Sequence, residues 1–330
     1  MKAFIHHGEP GLAGVRLTDV PTPEPGPGQV RIRLKTAGLN RRDLRVTRLA
    51  KPGDPPVVLG SDGAGVIDRV GEHVQHLHPG DEVVVNPSLY WYENSPAPPA
   101  GHEILGSPTD GTFAEFIVLS AEQVEPKPTH LTWEEAGVLP LAALTAYRAL
   151  FTRARIQSGQ TVLIPGAGSG VATFLVQFAK AAGAEVIVTS RSAEKRRRAE
   201  ALGADRTIPT ESDWLAELRG ERVDVVIDSV GAATFDQCLS VLRPGGTLVT
   251  FGATAGDEVR IDIRSFFYGQ FNLLGTTMGS RDEFRAMLRF VTDRGIRPVV
   301  DKVYPLADAG EALRRLQDGE QFGKIGLRVE

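Results

Sequence analysis

Two different patterns of apolar and polar positions divide the chain. Up to about residue 127, short apolar runs alternate with period two between glycine and proline breaks. In 30–35, Val-Arg-Ile-Arg-Leu-Lys, the aliphatics fall on one face and the cations on the other, which predicts a half-buried strand. Similar runs at 65–70, 82–85 and 113–119 predict a mostly β module, with turns at Pro25-Gly26, Pro79-Gly80 and Asp110-Gly111. Segment 88–108 has no usable period and many prolines, so a long surface loop is expected there, with Tyr90, Trp91 and Tyr92 as a candidate aromatic lid.

Beyond residue 132 the pattern changes. Thr132-Trp133-Glu134-Glu135 has capping-box spacing and opens an alanine-rich helical stretch towards 151. Strand-like runs at 161–164, 185–189, 223–228 and 247–251 then alternate with helix-like runs at 171–181, 194–202 and 234–242. Such alternation calls for an α/β fold, a parallel sheet covered by helices on both faces. The tail reads strand from 299, helix at 307–316 and strand at 325–329, and is expected to return to the first module.

Composition narrows the function classes. At 330 residues two domains are expected, because a single core rarely grows that large. The net charge of -4 gives no whole-molecule attraction to nucleic acid or anionic membrane, which leaves a small-molecule substrate as the expected partner. The single cysteine, Cys238, excludes an intrachain disulfide and any thiolate cluster. With no signal-peptide pattern, and a longest charge-free apolar run (136–147) too short for a bilayer span, a soluble cytoplasmic protein is expected.

The most informative stretch follows the strand at 161–164. Gly166-Ala167-Gly168-Ser169-Gly170-Val171-Ala172 leads directly into a helix, so backbone N–H groups at a helix N-terminus are available to a phosphate with no bulky side chain in the way. Gly166, Ala167, Ser169, Gly170 and Val171 are the candidate cradle of a dinucleotide. Strict G-x-G-x-x-G fails at Val171, although Ala172 still permits close helix packing. At the end of the next strand, where NAD calls for a carboxylate, the chain has Ser190 and Arg191, with Lys195 one helical turn on. These three suit a 2′-phosphate, hence NADP(H). Arg196, Arg197 and Arg198 are read as a solvated face.

Seven segments together carry a resemblance: AGLNRRD (37–43), GSDGAGVIDRVG (60–71), LPLAALTAYRAL (139–150), GAGSGVA (166–172), VDVVIDSVG (223–231), LRPGGTLVTFGAT (242–254) and GKIGL (323–327). In this order they resemble the medium-chain dehydrogenase/reductase superfamily and, within it, the zinc-free quinone oxidoreductase-like branch. The resemblance implies a Rossmann doubly wound parallel sheet (129–294) inserted into a GroES-like β module (1–128 with 295–330). Zinc enzymes of the superfamily carry a Cys near the position of Asn40 and a His at that of Ser61, and their structural-zinc lobe holds four cysteines where 91–105 here has none. No metal is therefore expected. His73, His76 and His78 are read as surface residues.

Carried over residue by residue, the resemblance implies that Asn40, Asp43 and Thr145 form the catalytic set, Thr145 lying at the nicotinamide-ribose end. Ser61 and Tyr92 are expected to border the substrate, and Ser229, Gly252, Ala253, Thr254 and Lys324 the cofactor. Quinone reductase-like relatives often have a tyrosine where this chain has Arg45, so the acceptor stays open. The implied activity is NADPH-dependent, zinc-independent hydride transfer to a quinone or α,β-unsaturated carbonyl, by a homodimer paired along 271–275. An alcohol dehydrogenase-like carbonyl reductase and a non-catalytic NADPH-binding protein are the alternatives.

Overall fold

The structure, a computed structural model, describes residues 1–329 and divides into two compact units, Met1–Leu144 with Gly279–Glu330, and Thr145–Met278. The borders fall later, and then earlier, than 128 and 295. The cause is that the helices Trp133–Val138 and Arg281–Asp293 pack with the β module instead of the parallel sheet.

In the first unit a seven-stranded sheet runs in the order Val124–Pro126, Glu82–Val85, Asp62–Val70, Gln29–Gly38, Lys324–Arg328, Val300–Pro305, with Phe116–Ser120 also paired to Gln29–Gly38. Val30, Ile32 and Leu34 are fully buried against Ile67, Val83, Ile117 and Leu119, as the period-two pattern requires. Arg31 departs from that pattern: it is 5% exposed, its guanidinium held by Asp68, Glu24 and the Pro23 carbonyl. The tail returns as expected, with Gly326 opposite Gly38 and Leu327 opposite Ala37 in antiparallel register.

Segment 88–108 is more built than a surface loop. Two short strands, Ser88–Leu89 and Glu103–Ile104, pair across it. Trp91, 1% exposed, anchors it through Nε1 to Ser95 Oγ at 2.8 Å and an edge contact with His102. Trp91 is thus a core residue and not part of a lid. The helix Arg281–Asp293 had a legible signal: Ser280 and Glu283 form a capping box, and Phe284, Met287, Leu288 and Val291 follow at helical spacing and are buried.

The second unit is a six-stranded parallel sheet in the order Arg206–Pro209, Glu185–Ser190, Thr161–Ile164, Val223–Asp228, Leu242–Thr250, Asn272–Gly275. The strand order reverses between Thr161–Ile164 and Val223–Asp228, the switch point at which doubly wound sheets bind ligands beyond their carboxyl ends. Asn272–Gly275 forms one edge. Cys238 is fully buried beside Phe235 and Val241, and burial pushes its thiol pKa well up, so it is a packing residue. Among the described residues no helix is long and apolar enough to cross a membrane.

Candidate functional site

In the second unit, Gly166 and Gly168 take φ of +79° and +101°, values that favour glycine and turn the chain sharply from strand to helix. The Gly166 and Ala167 N–H groups donate to Thr189 O at 3.1 and 2.8 Å, and Ser169 caps the helix Gly170–Ala181 by accepting from Ala172 N at 3.1 Å. The N–H groups of Gly168, Ser169, Gly170 and Val171 are not engaged by internal acceptors. Backbone donors left open at a helix N-terminus match a pyrophosphate in charge and geometry.

The neighbouring strand ends are built around Asp228, fully buried, whose oxygens accept from Val230 N at 3.0 Å and Gly231 N at 2.9 Å. Burial pushes its pKa up, against those two bonds. Ser229 O accepts from Thr254 Oγ1 at 3.2 Å, and a Cβ at Gly252 would lie 2.8 Å from Ser229 O, so the Ser229 and Gly252-Ala253-Thr254 loops touch backbone to backbone.

The strand end at Ser190 differs in detail from the sequence expectation. Ser190 is 7% exposed and its Oγ accepts from Ser192 N at 3.2 Å. Arg191 is exposed with no protein partner, whereas Arg196, assigned by sequence to a solvated face, turns back to donate Nη1 to Ser190 O at 2.6 Å. The Lys195 N–H is used in capping, donating to Ser192 Oγ at 3.2 Å. Arg196 therefore joins Arg191 beside Ser190. Its only sequence signal is its place in the first turns of the helix Ala193–Leu202.

In the first unit, four polar side chains from three separate stretches of the sequence form one buried network. Asn40 caps the helix Arg41–Leu49, and its N–H donates to Asp43 Oδ2 at 2.8 Å, completing a capping box. Asn40 Nδ2 donates to Asp62 Oδ2 at 2.9 Å. Lys324 Nζ donates to Asn40 Oδ1 at 2.6 Å, Leu39 O at 2.7 Å and Asp62 Oδ2 at 2.9 Å, and Asp62 Oδ1 accepts from Leu141 N at 2.6 Å. Lys324 and Asp62 are 3% and 0% exposed. With its three N–H donors engaged internally, Lys324 has none left for the cofactor contact expected of it.

Asp43 is the exception within this network. Burial pushes its pKa from 3.8 to about 6, against the attraction of Arg42, and its Oδ1 has no hydrogen-bond partner in the protein. Alongside, fully buried Ser61 donates Oγ to Leu105 O at 2.6 Å and accepts from Arg42 Nη1 at 2.7 Å, and Arg42 Nη1 also donates to Leu105 O at 2.6 Å. The backbone turn before Ser61 demands glycine, because a Cβ at Gly60 (φ +97°) would lie 2.2 Å from the Phe113 ring. Arg42 lines a cavity of about 550 Å³. Tyr92 does not line it, and its ring faces the Arg281 guanidinium at 5.1 Å. Thr145 is 5% exposed, in the helix Pro140–Tyr147.

Comparison with known proteins follows the same division. Residues 26–129 match the alcohol dehydrogenase GroES-like domain, and residues 170–293 match the zinc-binding dehydrogenase family. A zinc-type alcohol dehydrogenase-like protein of Schizosaccharomyces pombe is 35% identical over 100% of this chain and 99% of its own. The chain belongs to the medium-chain dehydrogenase/reductase superfamily. An acryloyl-coenzyme A reductase of Metallosphaera sedula is 32% identical, over 99% of both chains. The crystal structure of an NAD-dependent alcohol dehydrogenase matches with a TM-score of 0.93 and 39% identity, over 100% of both chains. The protein is thus an NAD(P)-dependent oxidoreductase of this superfamily, whose members here include alcohol dehydrogenases and enoyl-CoA reductases.

For a dinucleotide the second unit's residues fit: open backbone donors, a glycine cradle and cations beside Ser190. For zinc the first unit's residues do not fit. The amide of Asn40 contacts the Lys324 ammonium and the hydroxyl of Ser61 contacts the Arg42 guanidinium, so each supposed ligand position faces a built-in cation. Neither side chain supplies the thiolate or imidazole that zinc favours. Among the described residues, no group of three or more His, Cys, Asp or Glu comes together in ligating geometry.

Proposed function

We propose that this superfamily member is an NADPH-dependent, zinc-independent reductase acting on a quinone or an α,β-unsaturated carbonyl. The observation that carries the reading is the pairing of Asn40 with Lys324 and of Ser61 with Arg42 at the positions where zinc enzymes hold their ligands. Acceptors that are already electrophilic need positioning more than a Lewis acid. The reductases of unsaturated acyl thioesters among the relatives are in keeping with that class.

When bound, a reduced nicotinamide cofactor supplies the hydride. The chain's own contribution is binding and orientation: the Gly166–Gly170 turn and Val171 N–H for the pyrophosphate, Ser190, Arg191 and Arg196 for a 2′-phosphate, and Lys195 near them. Asp43 fixes the Asn40 backbone, and Lys324 with Asp62 fixes both ends of the Asn40 amide. That network makes Asn40 a rigid polar group, with Thr145 assigned to the nicotinamide-ribose end. A carbonyl reductase of alcohol dehydrogenase type is the second reading, favoured by the zinc-type relative and the NAD-dependent neighbour.

A two-fold homodimer, cytoplasmic, belongs to the same proposal. The edge strand Asn272–Gly275 leaves Leu273 37% exposed, and the preceding helix Ile263–Tyr268 leaves Phe267 and Tyr268 47% and 71% exposed, uncovered apolar side chains that suit pairing along this edge. A dimeric mass at micromolar concentration is expected, and a monomer would count against it. For the activity, NADPH oxidation is followed with a quinone, an enone and a ketone before and after prolonged chelation. Turnover of the first two that survives chelation is expected. Turnover of the ketone alone, lost with one zinc per chain, would return the protein to the zinc alcohol dehydrogenases.

A further inference from the structure

The cavity of about 550 Å³ in the first unit has a two-sided wall that the proposed reaction leaves unexplained. One face of the helix Arg41–Leu49 looks into it with Arg42, Arg45, Val46 and Leu49, spaced as one helical stripe, while Leu44 and Thr47 are buried on the opposite side. Pro56 and Val57 extend the apolar part of the wall. Leu49 is 63% exposed, an uncovered aliphatic at the edge of a cavity.

Of the two guanidinium groups, Arg42 is engaged by Ser61 and the Leu105 carbonyl. Arg45 is not: it is exposed and makes no hydrogen bond or ion pair with the protein. Asp54 also lines the cavity, but its carboxylate caps a turn by accepting from Lys51 N at 2.7 Å and does not pair with Arg45. His6 is buried with Nε2 at 2.9 Å from Glu9 O. The wall thus offers an apolar strip, a fixed cation at its inner end and an unengaged cation beside the strip.

Resting on the reductase reading above, we propose that the substrate bears an anionic group, carboxylate or phosphate, joined by an apolar stretch to its reactive double bond. The anion is held by Arg45 and the apolar stretch lies against Val46, Leu49, Pro56 and Val57. A forked guanidinium matches either oxyanion in shape, and the apolar wall selects a substrate with hydrocarbon next to the charge. Arg45 is then a specificity-determining residue in the place where the resembled quinone reductases often carry a tyrosine.

The test compares matched acceptors in the full-length protein: an enone with an ω-carboxylate beside its methyl ester, and an enoyl-CoA beside the corresponding enoyl-pantetheine thioester, which lacks the nucleotide phosphates. In Arg45→Gln the ratio of kcat/KM for the charged over the uncharged partner is expected to fall about 10-fold, through KM, and Arg45→Lys to restore part of it. A fall in the first pair identifies a carboxylate, and a fall in the second a phosphate. Unchanged ratios in both pairs would overturn the proposal. If the wild-type protein reduces none of these acceptors, the reductase reading fails separately, and calorimetric binding of the ω-carboxy enone and of the enoyl-CoA decides the subsite. Binding of either that weakens about 10-fold in Arg45→Gln upholds it, and equal or absent binding of both in the two proteins rejects it.

Discussion

The polar network around Asn40 and the glycine turn at Gly166 are both rich in hydrogen-bonding groups, yet they are built on opposite principles. Around Asn40, Lys324 places every ammonium donor on an internal acceptor, and Asp62 accepts from Asn40, Lys324 and Leu141. At the glycine turn four consecutive N–H groups have no internal acceptor. A buried network that satisfies itself holds geometry, because moving one member away leaves another's charge unpaired in a low dielectric. A row of unengaged donors at a helix N-terminus holds a place for a ligand. On the function proposed above, the contrast corresponds to positioning by the first unit's cluster and anion binding by the second unit's turn.

The largest expected effect tests the closed network. Lys324→Met removes the cation from a carboxylate with no exposed surface, and is expected to destabilise the protein by about 3–5 kcal/mol in urea unfolding, since Asp62 is left as an unpaired buried charge. Adding Asp62→Leu to that variant should recover part of the loss. A loss below about 1 kcal/mol, with NADPH binding weakened instead, would mean that Lys324 serves the cofactor, and the comparison would break.

Next in size is the one unbalanced member of the network. Asp43 has a folded-state pKa of about 6 against an ordinary 3.8, so between those values the folded protein binds the proton more tightly than the unfolded chain. Its stabilising contribution is therefore present below pH 3.8 and lost as pH rises through 6. Asp43→Asn keeps an oxygen for the Asn40 N–H but carries no charge. It is expected to be more stable than the parent by up to about 3 kcal/mol at pH 8, with the gap closing towards pH 4. Denaturation midpoints across pH 4–8 give the comparison, and a pH-independent difference would place the burial cost elsewhere.

How much of this was legible in the sequence follows from the range of the forces involved. The glycine turn was readable because positive φ at Gly166 and Gly168 is a local demand on residue type, and the Val30, Ile32, Leu34 strand because burial alternates with the backbone. Capping boxes at Thr132 and Ser280 are equally local. The pairing of Lys324 with Asp62 joins residues 262 apart, and no pattern along the chain announces it. Arg31 was misplaced for the same reason, since its partner Asp68 lies 37 residues away. Trp91 was misplaced although its partner Ser95 is only four residues on, because a segment without a hydrophobic period gives no sign that its tryptophan is buried. Asn40, Asp43 and Ser61 were singled out by resemblance, and the geometry then supplied what resemblance omitted, namely that their neighbours Arg42 and Lys324 are cations.

The smallest effect sharpens the open side of the comparison. Ser190, Arg191 and Arg196 stand at the end of the Glu185–Ser190 strand, Arg191 without a partner and Arg196 tethered to the Ser190 carbonyl. A 2′-phosphate reaching this corner would meet one guanidinium free to fold over it and one already oriented, which loses less side-chain freedom on binding. Each charge-assisted contact is worth about 1.5 kcal/mol or somewhat more, so Arg191→Ala and Arg196→Ala are each expected to lower the preference for NADPH over NADH about 10-fold at fixed ionic strength. Their combination should leave little preference, while NADH affinity changes little because the turn at Gly166 is untouched. Equal affinity for the two cofactors in the unaltered protein would show instead that these arginines serve the helix surface alone.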